Sequence, residues 1–150
     1  QKVLQYDIAL GFDPIGDKSR EGDGKTPEGL FTVDRRNPNS SYHLSLGITY
    51  PQPEDIRRAA EAGIDPGGDI FIHGQPNALG NLLQLPGDWT AGCIAISNAE
   101  MEQLWRLVDL CSAINLASQR RNFPAVALTP GLIKSSRGES SSIIAGSILG

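Results

Sequence analysis

A cysteine and a histidine give this sequence its strongest signal of chemistry. Cys93 follows a short turn at 90–92 that ends in Gly92, and His73 ends the apolar segment 69–73. A thiol with an ordinary pKa of about 8.5 is only slightly ionised at neutral pH, so a nucleophilic cysteine needs a base or a positive field beside it. His73 is the candidate base, because two neighbouring strands could bring the ends of these segments together. The pair predicts a nucleophilic thiol at Cys93 with His73 as its base.

Other residues near this pair are weaker candidates. Cysteine is often a small buried residue and histidine a satisfied core residue, so the same residue types also occur where there is no chemistry. The chain has 2 histidines, and His43 is the second candidate for the base. Tyr42 and His43 could contact a substrate or simply cover the sheet surface. Trp89 could form an apolar wall beside the thiol.

The segments that must position these residues are mostly predicted β-strands. Segment 3–10 alternates apolar and polar residues, the pattern of a half-buried strand. The polar stretch 35–41 is expected to be a turn that joins two strands into a hairpin. The further predicted strands cover 30–33, 42–48, 69–73, 93–96 and 125–128.

Two helices and one long loop complete the prediction. Segment 53–62 begins with proline and acidic residues and ends before Gly63, as expected for a helix with a glycine stop. Ser97 and Glu100 form a capping-box pattern at the start of a second helix. Its apolar stripe consists of Met101, Leu104, Trp105 and Val108. Segment 11–29 is rich in glycine, aspartate and lysine without apolar periodicity, which predicts a surface loop.

The composition fits one domain and excludes several classes of protein. A chain of 150 residues with 39% hydrophobic side chains can bury a single core, and 17 Gly and 10 Pro favour a β-rich fold with many turns. A net charge of -4 argues against binding to nucleic acid, which requires a basic surface. No apolar run approaches the roughly 20 residues of a membrane-spanning helix, so stable membrane insertion of this segment is not expected.

Neither a metal site nor a nucleotide site is expected. The 2 cysteines, Cys93 and Cys111, lack the spacing of a zinc site, and Cys111 is expected late in the second helix as a buried free thiol. The tripeptide at 24–26 is similar to part of a phosphate-binding loop, but Ser19 stands where that motif needs a glycine. The acidic residues within 13–23 lack the spacing of a calcium loop. We therefore predict no cofactor and no metal.

Two motifs resemble the L,D-transpeptidase catalytic domain. The first is Ile-His-Gly at 72–74 followed by TAGCIAI at 90–96 and then the second helix. The second is a loop of the form GxKxxxGDGKTPEGxF upstream of it. The residues that match this loop are Gly16, Lys18, Gly22, Asp23, Gly24, Lys25, Thr26, Pro27, Glu28, Gly29 and Phe31. The resemblance extends over about residues 3–108.

The resemblance implies a mainly β fold with a few helices, built as a sandwich or a partly open barrel. It implies that Cys93 is the nucleophile and His73 the general base and acid, acting on peptidoglycan stem peptides. In that reaction the thiolate attacks the diaminopimelate carbonyl of a tetrapeptide stem, releases the terminal D-alanine and leaves a thioester, which an amine then attacks. Backbone N–H groups of Gly92 and Cys93 are expected to stabilise the oxyanion. Further substrate contacts are expected from Gly74, Thr90, Trp89, Tyr42 and His43.

Two positions depart from the usual pattern of the family. Ala91 stands where a second histidine is common, and Ala95 stands where arginine is common. A branch that shares the TxGCIA variant includes enzymes that hydrolyse related cell-wall amide bonds. The acceptor could therefore be a stem-peptide amine, a lipoprotein lysine or water. The alternatives are a cysteine amidase, L,D-endopeptidase or carboxypeptidase of the same fold, and an inactive peptidoglycan-binding module.

The sequence predicts one catalytic domain and a tail. The domain is expected over residues 1–128, with a first strand that can be incomplete at the start of the chain, and a Ser/Gly-rich tail follows at 129–150. The chain begins at Gln1 rather than Met, so its start carries no prediction of localisation. The family resemblance alone implies a periplasmic or otherwise extracytoplasmic protein.

Overall fold

A curled, mainly β sheet forms the body of the protein. The computed structural model describes the backbone of residues 3–116, 133–137 and 141–146, and the side chains of residues 6–116. The strands in this part are β1 (Val3–Asp7), β2 (Gly29–Ser40), β3 (His43–Ile48), β4 (Phe71–His73), β5 (Ile94–Ala95), β6 (Ala113–Leu116), β7 (Ile133–Arg137) and β8 (Ser141–Gly146). The helices are α1 (Pro53–Ala62), α2 (Asn98–Leu107) and a short 3-10 helix at Asn77–Leu79. The mainly β fold with a few helices is confirmed.

The order of the strands explains why the sheet curls into part of a barrel. The strands lie in the order β1-β8-β7-β6-β2-β3-β4-β5, so β1 and β5 are the two edges. Directly after β1, however, the chain returns to the other edge, where Ala9 and Ala95 exchange backbone hydrogen bonds of 2.8 Å. The two edges of one sheet are thereby joined, which agrees with the predicted partly open barrel.

The core lies between the sheet and α2. Apolar side chains of β3, β4 and β5, including Leu46, Ile72 and Ile94, are fully buried together with Met101 and Leu104 of the helix. Burial of each such side chain stabilises the folded state by roughly 1.5–3 kcal/mol. The core therefore holds in place the two short strands that carry the candidate residues.

Helix α2 begins and packs as the sequence predicts. The Ser97 hydroxyl accepts a hydrogen bond from the backbone N–H of Glu100, and the Glu100 carboxylate accepts from the Ser97 N–H. Met101, Leu104 and Val108 are buried, while Trp105 is partly buried. Helix α1 is also confirmed, and Gly63 closes it with a φ of 66°. Such a left-handed conformation costs glycine little.

The hairpin of β2 and β3 is confirmed, but the predicted polar turn at 35–41 is wrong. Strand β2 runs through that stretch to Ser40, and the reversal lies at Ser41 and Tyr42. The pairing of β2 with β3 shifts register between Asn37 and Ser40, where Pro38 lies. Proline is tolerated there because a residue in a bulge does not have to donate a backbone hydrogen bond to the neighbouring strand. Local composition alone therefore suggested a turn where the partner strand imposes an extended chain.

Other predicted boundaries shift by a few residues. The first strand ends at Asp7, and beyond it the chain forms isolated bridges at Ala9 and Gly11 rather than a regular strand. Cys111 was expected to be buried late in a helix, but it is exposed and lies beyond the end of α2. Both cysteines are free thiols.

The end of the chain is described only in part. The strand predicted at 125–128 lies outside the described residues. Strands β7 and β8 fall within the segment 129–150 that the sequence suggested as a tail, and both belong to the main sheet. The division of the chain at residue 128 stays a prediction. Within the described ranges, no helix has the length and apolar character required to cross a membrane.

The long loop between β1 and β2 is ordered by one buried carboxylate. Asp23 accepts hydrogen bonds from the backbone N–H groups of Ser19, Arg20 and Lys25 and from the ammonium of Lys18. Burial opposes ionisation of this carboxyl group, but these hydrogen bonds outweigh it and hold the pKa of Asp23 well below its ordinary value. Asp23 therefore stays charged inside the protein and acts as the centre of the loop.

Replacement of Asp23 tests this role. Asp23→Ala is expected to lower the free energy of unfolding by about 3 kcal/mol, because it leaves the Lys18 ammonium buried without its counter-charge. The matched control is Asp13→Ala, which removes a carboxylate that is 55% exposed and paired with Lys25 in the same loop. That change is expected to cost less than about 1 kcal/mol. Denaturant unfolding of both variants measures the difference, and equal losses would contradict the assignment.

The pH dependence of the same difference has a definite sign. A carboxyl group whose pKa is lowered by folding contributes its stability above the unfolded-state pKa of about 3.9, and loses it as the pH falls toward the folded value. The difference in stability between the wild type and Asp23→Ala should therefore be constant near neutral pH and shrink below about pH 4.

Candidate active site

Two parallel strands bring Cys93 and His73 to one cavity. Strand β4 pairs with β5 so that His73 lies opposite Ala95, and Cys93 directly precedes β5. Both residues line a cavity of about 510 Å³. The other described residues that line it are Asn37, Ser40, Ser41, Tyr42, Ser45, Asp69, Phe71, Trp89, Thr90 and Ala91. The two candidate groups therefore face the same space, although they are distant in sequence.

The hydrogen bond of His73 defines its tautomer. Its Nδ1 lies 2.7 Å from the carbonyl oxygen of Gly74. A carbonyl can only accept, so Nδ1 carries the proton and Nε2 is left as the acceptor of the neutral ring. The side chain is 5% exposed, and this burial lowers the pKa of His73 despite the favourable contact with the Gly74 carbonyl. At neutral pH the imidazole is therefore an uncharged base.

An aromatic cluster fixes the orientation of this ring. The Tyr42 ring is tilted against His73 with centroids 4.6 Å apart, and Trp89 meets the imidazole edge-on at 5.8 Å. The Trp89 indole N–H is buried and has no hydrogen-bond partner among the described residues. Trp89 therefore contributes an apolar contact to the aromatic cluster around His73.

Thr90 shapes the turn that presents the thiol. Its hydroxyl donates to the carbonyl oxygen of Cys93 at 2.6 Å and accepts from the N–H of Gly92 at 3.1 Å. Gly92 has a φ of 139°, and a Cβ added there would lie 2.8 Å from the carbonyl oxygen of Lys25. Both the conformation and the close approach require glycine at this position.

The thiol of Cys93 is protonated in this arrangement. Its Sγ donates to the carbonyl oxygen of Asp69 at 3.6 Å rather than to His73. Burial is the main reason that the pKa of Cys93 is raised, and the charge of Asp69 adds to this effect. A hydrogen bond from the Phe71 backbone and the charge of Lys18 act in the opposite direction. The resting site thus contains a neutral thiol and a neutral imidazole.

The remaining predicted site residues occupy different positions. Thr90, Trp89 and Tyr42 line the cavity, whereas Gly74 and His43 are not among its described lining residues. The ring of His43 points to α2, where its Nε2 lies 3.0 Å from the Glu102 carboxylate. Gly74 supplies the carbonyl that orients His73. Contacts of Gly74 and His43 with a substrate stay a prediction.

Several lining residues were missed by the sequence analysis. Ser45 faces the site because it pairs directly with His73 across β3 and β4, a register that the sequence does not specify. Asn37, Ser40 and Ser41 were assigned to a solvent turn. Asp69 precedes β4 and has a φ of 52°, unusual for a residue other than glycine. Among the described residues, no group of three or more His, Cys, Asp or Glu side chains could hold a metal ion.

Comparisons with known proteins find the same family over most of the chain. The family model YkuD, the L,D-transpeptidase catalytic domain, matches residues 1–128. YafK of Escherichia coli K12, provisionally named an L,D-transpeptidase, is 28% identical over 110 residues, which cover 72% of this chain and 38% of YafK. The crystal structure of the helical cell shape determining protein Pgp2 from Campylobacter jejuni matches with a TM-score of 0.57 and 28% identity, over 89% of this chain and 38% of that one.

A second solved structure gives a similar result. Bd1075 from Bdellovibrio bacteriovorus matches with a TM-score of 0.52 and 26% identity, over 77% of this chain and 38% of its own. The chain spans about two fifths of the length of the relatives it matches, because each match covers 38% of the other protein.

The contrast between the two thiols is directly testable. Cys111 is exposed, whereas the Cys93 thiol is partly buried and its pKa is raised by that burial. At neutral pH, iodoacetamide is therefore expected to modify Cys111 faster than Cys93, with the difference narrowing as the pH rises. Peptide mapping by mass spectrometry separates the two sites, and Cys93→Ser and Cys111→Ser are the matched controls. Faster labelling of Cys93 at neutral pH would show that its thiolate is already formed.

Proposed function

Because the chain belongs to the family of L,D-transpeptidase catalytic domains, we propose that it forms a thioester between Cys93 and a peptidoglycan stem peptide and passes the acyl group to an amine. The observation that carries this proposal is that Cys93 and His73 line one cavity, with the imidazole kept neutral by burial and its tautomer fixed by the Gly74 carbonyl. A neutral imidazole and a neutral thiol that line the same cavity suit general-base catalysis, in which the thiol turns from the Asp69 carbonyl to His73 and its proton moves as the new bond forms.

The reaction balances with these two groups alone. His73 Nε2 takes the Cys93 proton while the sulfur attacks the carbonyl carbon of the diaminopimelate residue. The resulting imidazolium gives that proton to the leaving amine, so the bond to D-alanine breaks and a thioester remains. The neutral imidazole then takes a proton from the acceptor amine, which attacks the thioester, and the imidazolium returns this proton to the Cys93 sulfur as it leaves. Each cycle returns both groups to their starting state.

The turn before β5 supports stabilisation of the oxyanion. The N–H of Gly92 already donates to the Thr90 hydroxyl at 3.1 Å. The N–H of Cys93 is therefore the principal donor that we propose for the oxyanion, while Gly92 would have to share its proton. Loss of one such donor costs about 3–4 kcal/mol in comparable sites.

The charge around the cavity supports an amine as the acceptor. Asp69 is the one carboxylate among the described lining residues, and none of them is lysine or arginine. Its side chain is 82% exposed and pairs on one oxygen with Arg35 at 3.0 Å. A partly free carboxylate at the rim attracts an ammonium group and disfavours a second carboxylate. We therefore place transfer to a stem-peptide amine ahead of hydrolysis.

A second candidate function uses the same thioester. If water replaces the amine, the domain acts as a cysteine amidase, L,D-endopeptidase or carboxypeptidase on a peptidoglycan or peptidoglycan–lipoprotein linkage. The motif TAGCIA at 90–95 favours this reaction, because the branch that shares the TxGCIA variant includes enzymes that hydrolyse cell-wall amide bonds. A lipoprotein lysine is a third acceptor of the same chemistry. Each of these substrates implies a periplasmic or otherwise extracytoplasmic location.

Substitution of the two cysteines tests the nucleophile. With purified tetrapeptide muropeptides, Cys93→Ala is expected to reduce product formation by at least about 10³-fold and to abolish the covalent adduct. Cys111→Ala is the matched control and should retain full activity, because Cys111 is exposed and outside the cavity. Chromatography with mass spectrometry detects the products and the thioester. The wild type is also exposed to a carbapenem, which acylates an active nucleophile. A wild-type protein that binds muropeptides but forms a covalent adduct with neither the stem peptide nor the carbapenem would instead support an inactive binding module.

The role of Asp69 has its own test. Asp69→Asn is expected to lower the ratio of crosslinked to hydrolysed product by about two- to threefold, because an exposed charge contributes up to about 1 kcal/mol. The matched control is Asp34→Asn, since Asp34 also pairs with Arg35, at 3.1 Å, but does not line the cavity. Equal product ratios in the two variants would contradict a role of Asp69 in the choice of acceptor.

A further inference from the structure

The loop between β1 and β2 contains a buried cation that the acyl-transfer steps leave unexplained. Lys18 is 3% exposed, although lysine is almost never fully buried unless it is paired. Its ammonium donates to the Asp23 carboxylate at 2.9 Å and to the carbonyl oxygen of Arg20 at 3.0 Å. A buried ion pair of this kind is weak evidence for a role in stability alone, since its desolvation offsets much of the attraction.

The position of this cation relates it to the nucleophile. Lys18 Nζ lies 3.8 Å from the point that a Cβ would occupy on Gly92, the residue before Cys93. The Lys25 carbonyl lies on the same side of Gly92, 2.8 Å from that point. The missing side chain of Gly92 thus lets the loop, with its buried ammonium, approach the backbone of the turn directly.

Two carboxylates act against this cation: Asp23 pairs with Lys18 at 2.9 Å, and the charge of Asp69 raises the pKa of Cys93, whereas that of Lys18 lowers it. The Lys25 ammonium points away to the surface, where it pairs with Asp13 at 2.8 Å. Asp69 approaches the thiol from the segment before β4, and His73 approaches from β4 itself with a neutral ring. Lys18 is therefore a cation that lies close to the turn at Gly92 without being among the described lining residues of the cavity.

We propose that the Lys18 ammonium, held by Asp23, is a positioning group that stabilises negative charge at the Gly92–Cys93 turn. The charge develops on the Cys93 sulfur as its proton leaves and then on the oxyanion of the tetrahedral intermediate, and both atoms are next to the turn that the ammonium approaches. This inference rests on the nucleophilic role proposed for Cys93. The effect of Lys18 on the pKa of Cys93, which it lowers against the effect of burial, agrees with it.

The test measures the reactivity of Cys93 in the absence of substrate. In a Cys111→Ser background, the rate of Cys93 modification by iodoacetamide is followed from acid to alkaline pH by intact-mass spectrometry. Lys18→Met is expected to slow modification at pH 7 about threefold and to move the midpoint of the pH profile to higher pH. The change is modest because the protein and solvent screen the interaction between one positive charge and the thiolate.

The matched control is Lys25→Met, which removes a cation from the same loop. Because the Lys25 ammonium faces solvent and Asp13, neither the rate nor the midpoint should change. Lys18→Arg, which keeps the charge, should restore part of the lost reactivity. A purely structural role predicts a different pattern, in which Lys18→Met lowers thermal stability but leaves the pH profile of the folded protein unchanged. That pattern would overturn the proposal.

A second variant covers the case in which Lys18→Met does not fold. Lys18→Gln combined with Asp23→Asn replaces the ion pair by neutral groups that can still form hydrogen bonds. The same upward movement of the midpoint is expected, and an unchanged midpoint would overturn the proposal. These measurements need no peptidoglycan, so a wild type that does not turn over muropeptides would refute the proposed function without deciding the role of Lys18.

Discussion

The candidate active site depends on the pairing of β4 with β5. These strands contain only 3 and 2 residues, and such short strands have no stability of their own. They persist because β3 pairs with β4 and Ala9 pairs with β5. In addition, Ile72 of β4 and Ile94 of β5 are fully buried in the core. Since parallel strands run in the same direction, His73 at the end of β4 lies near the residues of β5, and Cys93 enters from the turn before it. Core packing and site geometry are therefore one constraint.

Close backbone contacts at glycines extend this constraint to the loop between β1 and β2. A side chain on Gly11 would overlap the Gly24 carbonyl, and one on Gly92 would press on the Lys25 carbonyl. Gly74 is similarly confined, with Asn98 Oδ1 2.5 Å and Tyr42 O 3.0 Å from the position of its absent Cβ. Each of these contacts fixes a part of the site that is distant in sequence. The loop thus belongs to the active-site framework, although it has neither helix nor strand between Phe12 and Glu28.

The sequence was sufficient for features that depend on neighbours along the chain. The capping box at Ser97 and Glu100, the glycine stop at Gly63 and the alternation around Tyr6 all follow from local rules, and the structure agrees with them. Features set by distant partners were not accessible in the same way. The extension of β2 through Pro38 depends on β3, and the arrival of Ser45 beside His73 depends on the register of β3 with β4. The burial of Lys18 likewise could not be read from a loop rich in charged residues.

The electrostatics of the site depend on both the buried core and the loop between β1 and β2. Burial disfavours every charged form, which leaves both the Cys93 thiol and the His73 imidazole neutral at rest. In the acyl transfer that we propose, negative charge nevertheless develops on sulfur and then on oxygen, and in a region of low polarity it needs a fixed positive partner. A partner within the cavity would occupy the place of the substrate. In our proposal the Lys18 ammonium avoids this conflict, because it pairs with Asp23 outside the described cavity lining and the missing side chain of Gly92 leaves it close to the turn.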